Sequence, residues 1–263
     1  MSNSIRKWVF VLLVPVLILV VLSSVPSPGH GVALQSANID MSDKVSLQRG
    51  AQKYINYCIG CHSLEFSRYN RVAKDIGLNE ANGLSEDQVA TLLKENFIFT
   101  YDEDGKQDKV GALMKSAYAP KAAAEAFGTS IPDLSVVARA RGADWIYSYL
   151  KGFYLDDSRP MGVNNTIFKD VGMPHVLWEL QGWQVKEEAH GHAAPATLKV
   201  LKPGKLSAHE YDQVVRDLTN FLAYVGEPAQ LSRTMYGIFT LLFLVLFFVV
   251  ALALEKEYWK DIH

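Results

Sequence analysis

The sequence predicts a mainly α-helical soluble domain held by a single C-terminal transmembrane helix. Three observations predict it: a cysteine and histidine motif at the end of a helical pattern, apolar stripes opened by capping boxes, and twenty uncharged residues near the C-terminus.

At 263 residues the chain is long enough for a real core, as one large domain or two small ones with membrane segments added. Its formal net charge is -2 and it has no long basic run, so nothing points to nucleic-acid binding through phosphate neutralisation. The N-terminal stretch begins with Arg6 and Lys7, runs apolar over 8–22 with Pro15 inside, and loosens into Ser23, Ser24, Pro26, Ser27 and Pro28. That is the layout of an export signal. Gly31-Val32-Ala33 supplies a small-x-small site, so 1–33 reads as a signal peptide cleaved after Ala33. The apolar run is close to the lower limit for a bilayer span, which leaves an uncleaved anchor as the alternative. In both cases the residues that follow are exported.

A helix is expected over 46–57, where Leu47, Ala51, Tyr54, Ile55 and Cys58 recur at three- and four-residue spacing. It delivers Cys58-Ile59-Gly60-Cys61-His62, which holds the only two cysteines of the chain. Two thiols three positions apart on one turn can each add to a haem vinyl group, and the next side chain then points at the iron. This is the c-type haem attachment pattern. A redox disulfide would not require the histidine, and a structural zinc site would need further ligands that no other cysteine supplies.

After a polar, mixed stretch over 63–78, Ser85-Glu86-Asp87-Gln88 opens a second helix as a capping box, with Val89, Leu92 and Leu93 on one face. The acidic cluster Asp102, Glu103 and Asp104 reads as a solvated turn. Helical composition returns over 122–126, and Ile131-Pro132-Asp133 breaks it before a pattern carrying Leu134, Val137, Ala138 and Arg141. Gly142 interrupts, then Trp145, Ile146, Tyr149 and Leu150 continue to Gly152. Residues 154–172 contain Pro160, Gly162, Asn164, Asn165 and Gly172, and read as a long irregular loop packed on a surface such as a haem face. His190-Gly191-His192 reads as an exposed loop, because no carboxylate or cysteine stands nearby at ligand spacing.

Ser207-Ala208-His209-Glu210 is a second capping box. The helix behind it places Tyr211, Val214, Val215, Leu218, Phe221, Leu222 and Val225 on one stripe and stops at Gly226 and Pro228. Residues 235–254 carry no charge and are apolar all round. At ~1.5 Å per residue they span ~30 Å, one hydrocarbon core, and Tyr236, Tyr258 and Trp259 suit the interfacial belts.

A low-spin electron-transfer haem needs a ligand opposite His62. Met114 lies in a helical context where core packing is the plain reading. Met161 follows Pro160, and Met173 sits between Gly172 and Pro174. Small or rigid neighbours let either loop approach a porphyrin, so the residues alone leave these two level, with His175 as a third option.

The haem motif followed by Ser63, Phe66, Arg68, Tyr69 and Arg71, Pro132-Asp133-Leu134-Ser135 leading to Arg139 and Arg141, Gly172-Met173-Pro174, and an anchor ending Glu257-Tyr258-Trp259-Lys260-Asp261 together resemble the cytochrome c1 family. The likeness covers roughly residues 40–263. It implies a class I cytochrome c-like haem domain over 34–231, a transmembrane helix over 235–254 and a short cytoplasmic tail over 255–263. It further implies one covalently bound haem c, with Met173 as the ligand opposite His62 and Arg141 on a haem propionate. Without the resemblance Arg141 reads as an ordinary exposed helix arginine.

The family's haem subunit serves the cytochrome bc1 complex beside cytochrome b. It takes one electron at a time from the Rieske iron-sulfur subunit and passes it to a soluble cytochrome c. On this resemblance the chain is an electron-transfer subunit of a quinol–cytochrome c reductase, not a catalyst by itself. It would lie in a bacterial inner membrane with its haem domain in the periplasm. The alternatives are a membrane-tethered cytochrome c serving a terminal oxidase, and a five-coordinate haem peroxidase or sensor.

Overall fold

The computed structural model describes residues 33–118, 120–187 and 197–261. The expected export signal therefore falls outside the described residues but for Ala33, as do His190 and His192.

The first helix, α1 (Lys44–Tyr57), starts where the Asp43 carboxylate accepts the Ser46 N–H, and it buries Leu47, Gly50, Ala51, Tyr54 and Ile55. The following stretch, which sequence periodicity leaves unassigned, forms β1 (Leu64–Arg68) and α2 (Tyr69–Asp75). The short α3 (Leu78–Asn82) leads to α4 (Glu86–Asn96), whose Ser85 and Gln88 form the expected reciprocal capping box. A tight turn at the exposed Asp102, Glu103 and Asp104 brings the chain to β2 (Leu113–Met114). There Met114 pairs with Leu64 across an antiparallel bridge. The helical setting expected for Met114 is thus a strand, and the side chain is core, 1% exposed.

α5 (Pro120–Phe127) covers the predicted helical segment, and α6 (Val137–Arg141) and α7 (Ala143–Lys151) meet at Gly142. The φ of +89° at Gly142 is one that only glycine adopts easily, so the helix breaks there and turns. The stretch expected to be wholly irregular contains β3 (Phe153–Leu155) and β4 (Val163–Asn165), paired antiparallel in strict register. Strands this short carry no readable period, so their existence depends on the partner. The sequence also does not suggest α8 (Trp178–Gln181) or the antiparallel pair β5 (Gly182–Glu187) and β6 (Thr197–Pro203).

α9 (Ala208–Gly226) opens with its predicted capping box at Ser207 and Glu210 and buries Tyr211, Val215, Leu218, Phe221, Leu222 and Val225. It crosses α1 at Gly50, where an added Cβ would stand 2.1 Å from the Asp217 carbonyl oxygen. Beside this crossing the buried Asp217 carboxylate accepts Ser46 Oγ at 2.7 Å and both Arg49 donors at 2.6 and 2.9 Å. The main core lies around these two helices and takes in α2, α4 and α7. A smaller cluster of Phe153, Val163 and Val171 sits at the β3–β4 pair.

The last helix, α10 (Gln230–Tyr258), contains all of the apolar run and buries none of its residues. At ~1.5 Å per residue it is ~43 Å long, enough to cross a bilayer with its ends in the headgroups. Glu227 accepts Arg233 at 2.5 Å and stands 3.9 Å from Arg139, which ties the start of this helix to α6.

Candidate functional site

The site grows from the end of α1. Cys58 N and Ile59 N both donate to Tyr54 O, at 2.8 and 3.0 Å, and Cys61 N and His62 N donate to Cys58 O at 3.0 and 2.8 Å. The motif is therefore a closed turn stacked on the helix. Both thiols are free, with Cys58 buried and Cys61 half-buried. Burial, and then the neighbouring Cys61, pushes the Cys58 thiol up to about 12. A Cβ added at Gly60 would meet no atom of the protein within 4 Å.

His62 is held at two points. Tyr54 Oη donates to its carbonyl at 2.6 Å, and its Nδ1 lies 2.8 Å from the Pro132 carbonyl oxygen. A carbonyl only accepts, so Nδ1 carries the proton and Nε2 presents its lone pair. Burial lowers the imidazole below its ordinary value, against the opposing pull of the Pro132 bond, and keeps the ring neutral. The Pro132 carbonyl is itself fixed, because Leu134 N donates to Ser63 O at 2.9 Å. Asp133 accepts Glu65 N at 2.9 Å and Ser135 N at 2.8 Å, and Ser135 Oγ accepts Phe66 N at 3.1 Å. The Pro-Asp-Leu-Ser segment is thus a clamp on the strand that follows the haem motif.

A second group lies along α6 and α7. Trp145 and Tyr149 fall at i and i+4 on one face of α7, and Arg141, the last residue of α6 across the Gly142 break, stands beside them. The Arg141 guanidinium stands 5.2 Å from the Trp145 ring centroid, and Trp145 stacks on Tyr149 at 5.0 Å and 10°. Tyr149 Oη in turn donates to Met173 Sδ at 3.4 Å. Arg141 is exposed and forms no ion pair among the described residues, whereas Arg139 faces Glu227. The two arginines, alike in sequence, are set apart by their surroundings.

The other ligand candidates separate as well. Met161 packs on the same small cluster as Met173, but its sulfur accepts no hydrogen bond among the described residues. Met114 is sealed in the main core. His175 is 5% exposed, its ring stacks on Phe153 at 4.9 Å and 5°, and its Nε2 has no hydrogen-bond partner among the described residues. Sequence reasoning missed Pro132, Asp133, Trp145 and Tyr149 as parts of the site. For the aromatic pair the signal was present, as the four-residue spacing of Trp145 and Tyr149 within one helix.

Two thiols and, directly after them, a neutral imidazole with one nitrogen engaged and the other available form a donor set suited to a covalently held haem. With the exposed apolar helix, fold and motif describe a membrane-anchored c-type haem protein. Comparison with known proteins narrows this further. Residues 35–262 match the model of the cytochrome c1 family. The chain is 48% identical to cytochrome c1 of Allochromatium vinosum, with 97% of each chain covered. It is 46% identical to a Nitrosomonas europaea protein named ammonia monooxygenase gamma subunit, covering 90% of this chain and 92% of that one. Against the mitochondrial cytochrome c1 heme protein of Saccharomyces cerevisiae the identity is 27%, over 84% of this chain and 68% of the other. The chain belongs to the cytochrome c1 family.

Proposed function

We propose that this chain is the haem-bearing electron carrier of a quinol–cytochrome c reductase, receiving electrons from a Rieske iron-sulfur subunit beside cytochrome b and passing them to a soluble cytochrome c. The observation that carries the reading is the His62 imidazole, directly after two free thiols, with Nδ1 bonded to Pro132 and Nε2 left to bind iron. Cys58 and Cys61 would hold the haem by two thioethers, His62 and Met173 would ligate its iron, and Arg141 would face a propionate, where its planar fork suits a carboxylate. Haem held in this way supplies a one-electron couple. With His62 and Met173 both ligating it, the iron would have no coordination position open to peroxide or a gas, which separates this reading from a peroxidase or sensor.

The domain over 34–231 is assigned to the periplasmic face of a bacterial inner membrane, after an export signal over 1–33, with 235–254 spanning and 255–263 in the cytoplasm.

The test is spectroscopic. The ferrous spectrum should be unchanged by carbon monoxide. Met173→His should abolish the weak sulfur-to-iron charge-transfer band of the ferric protein and lower the reduction potential, because a nitrogen donor favours ferric iron. Met161→Leu should leave both unchanged. Ready carbon monoxide binding, or loss of the band in the Met161 variant alone, would overturn the ligand assignment.

A further inference from the structure

The Tyr149 hydroxyl makes a single hydrogen bond among the described residues, and it goes to the sulfur of Met173, 3.4 Å away. The ring has little freedom to do otherwise. Trp145 stacks on it at 5.0 Å, Phe153 meets it edge-on at 5.2 Å and 72°, and Asn165 Nδ2 fixes the Tyr149 carbonyl at 2.8 Å.

The loop that carries the sulfur hangs on the same support. Asn165 Oδ1 accepts Ile167 N at 2.9 Å and Phe168 N at 3.3 Å, and Asn164 Oδ1 accepts Asp170 N at 2.8 Å. Beyond Met173, the His175 ring stacks on Phe153 at 4.9 Å. Donor and acceptor are thus aligned from both sides by the β3–β4 pair, and their meeting is not an accident of two mobile side chains.

A thioether sulfur has two lone pairs. Resting on the reading of Met173 as an iron ligand, we propose that Tyr149 is a positioning residue that donates its O–H to one sulfur lone pair, aims the other at the iron, and raises the reduction potential. A donor on the sulfur withdraws electron density, weakens its donation to ferric iron more than to ferrous, and so favours the reduced state. The plain alternative is aromatic packing against methionine, which needs the ring and not the hydroxyl.

Tyr149→Phe separates the two, since it keeps the ring and removes only the donor. In the full-length haem protein extracted from membranes, this variant should lower the potential. At a fixed ambient potential the ferric-to-ferrous ratio should rise roughly two- to tenfold, the worth of one hydrogen bond. The charge-transfer band should move but persist. In the Met173→His background the same substitution should leave the potential unchanged, as two coupled sites require.

If Met173→His keeps the band, the ligand reading fails and this proposal with it. If Met173→His loses the band but Tyr149→Phe has the wild-type potential, only the role of Tyr149 fails. An equal shift in both backgrounds would also overturn it.

Discussion

The His62 Nδ1 atom lies 2.8 Å from the carbonyl oxygen of Pro132, seventy residues further along the chain. This contact fixes both the ring's orientation and its tautomer, and it depends on a loop that Asp133 and Ser135 pin to the strand after the haem motif.

Asp133→Ala should therefore loosen the imidazole without touching it. Two backbone donors, Glu65 N and Ser135 N, lose their acceptor, and the expected loss is about 1–2 kcal/mol of stability. Thermal melts would show it, together with a broader distribution of haem spectra. Ser135→Ala, which removes one acceptor, should cost about half as much. Unchanged melts in both variants would mean that the loop is held by other contacts.

Covalent attachment should depend on Cys58 and Cys61 jointly. The double substitution Cys58→Ala, Cys61→Ala leaves the chain with no cysteine at all. It should abolish the haem-stained band on a denaturing gel, while each single variant retains part of it. A stained band of full intensity from the double variant would refute thioether attachment at this motif.

The crossing of α1 and α9 predicts a steric defect. Gly50→Ala places a methyl group 2.1 Å from the Asp217 carbonyl oxygen and 2.7 Å from Phe221 Cβ, both on elements that cannot yield cheaply. The helices must separate, at a cost of about 1–3 kcal/mol. Circular dichroism melts should record a lower transition, and an unchanged transition would mean that the crossing of the two helices has room to yield.

Acid sensitivity should centre on the contact between α7 and α9. Asp212 accepts the Tyr147 hydroxyl, Lys151 at 2.5 Å and Arg216 at 2.9 Å. Burial alone would raise its carboxyl, but the Lys151 and Tyr147 bonds hold it below its ordinary value. For Lys151 burial opposes the charge, and the Asp212 bond keeps the ammonium above its ordinary 10.5.

A carboxyl lowered on folding stabilises above its unfolded value and loses that contribution as pH falls through the folded one. The Lys151 share is lost only as pH rises through a value above 10.5. The contact is therefore whole near neutrality and fails at the acid end below about pH 4. Asp212→Asn should lower the neutral melting temperature, by about 1–2 kcal/mol of stability. It should also flatten the drop measured between about pH 7 and about pH 3.

The sequence by itself determined the features that need only a few consecutive residues or one helical period. Cys58 to His62 is local chemistry, the capping boxes at Ser85 and Ser207 are local hydrogen bonding, and the stripe from Tyr211 to Val225 is a local period. The anchor announces itself by length and lack of charge.

Tertiary structure decided the rest, because it rests on partners far apart in the chain. The strands at Leu113–Met114, Phe153–Leu155 and Val163–Asn165 are two or three residues long, too short to carry a period, and exist because another strand lies beside them. Met161 and Met173 look alike as neighbours of glycine and proline, and only the fold brings a tyrosine hydroxyl to one sulfur and not to the other. Arg139 and Arg141 are likewise equivalent until α9 ends with Glu227 beside the first and leaves the second over Trp145. In each pair the residue type sets what a side chain can do, and contacts across the fold make the two members differ.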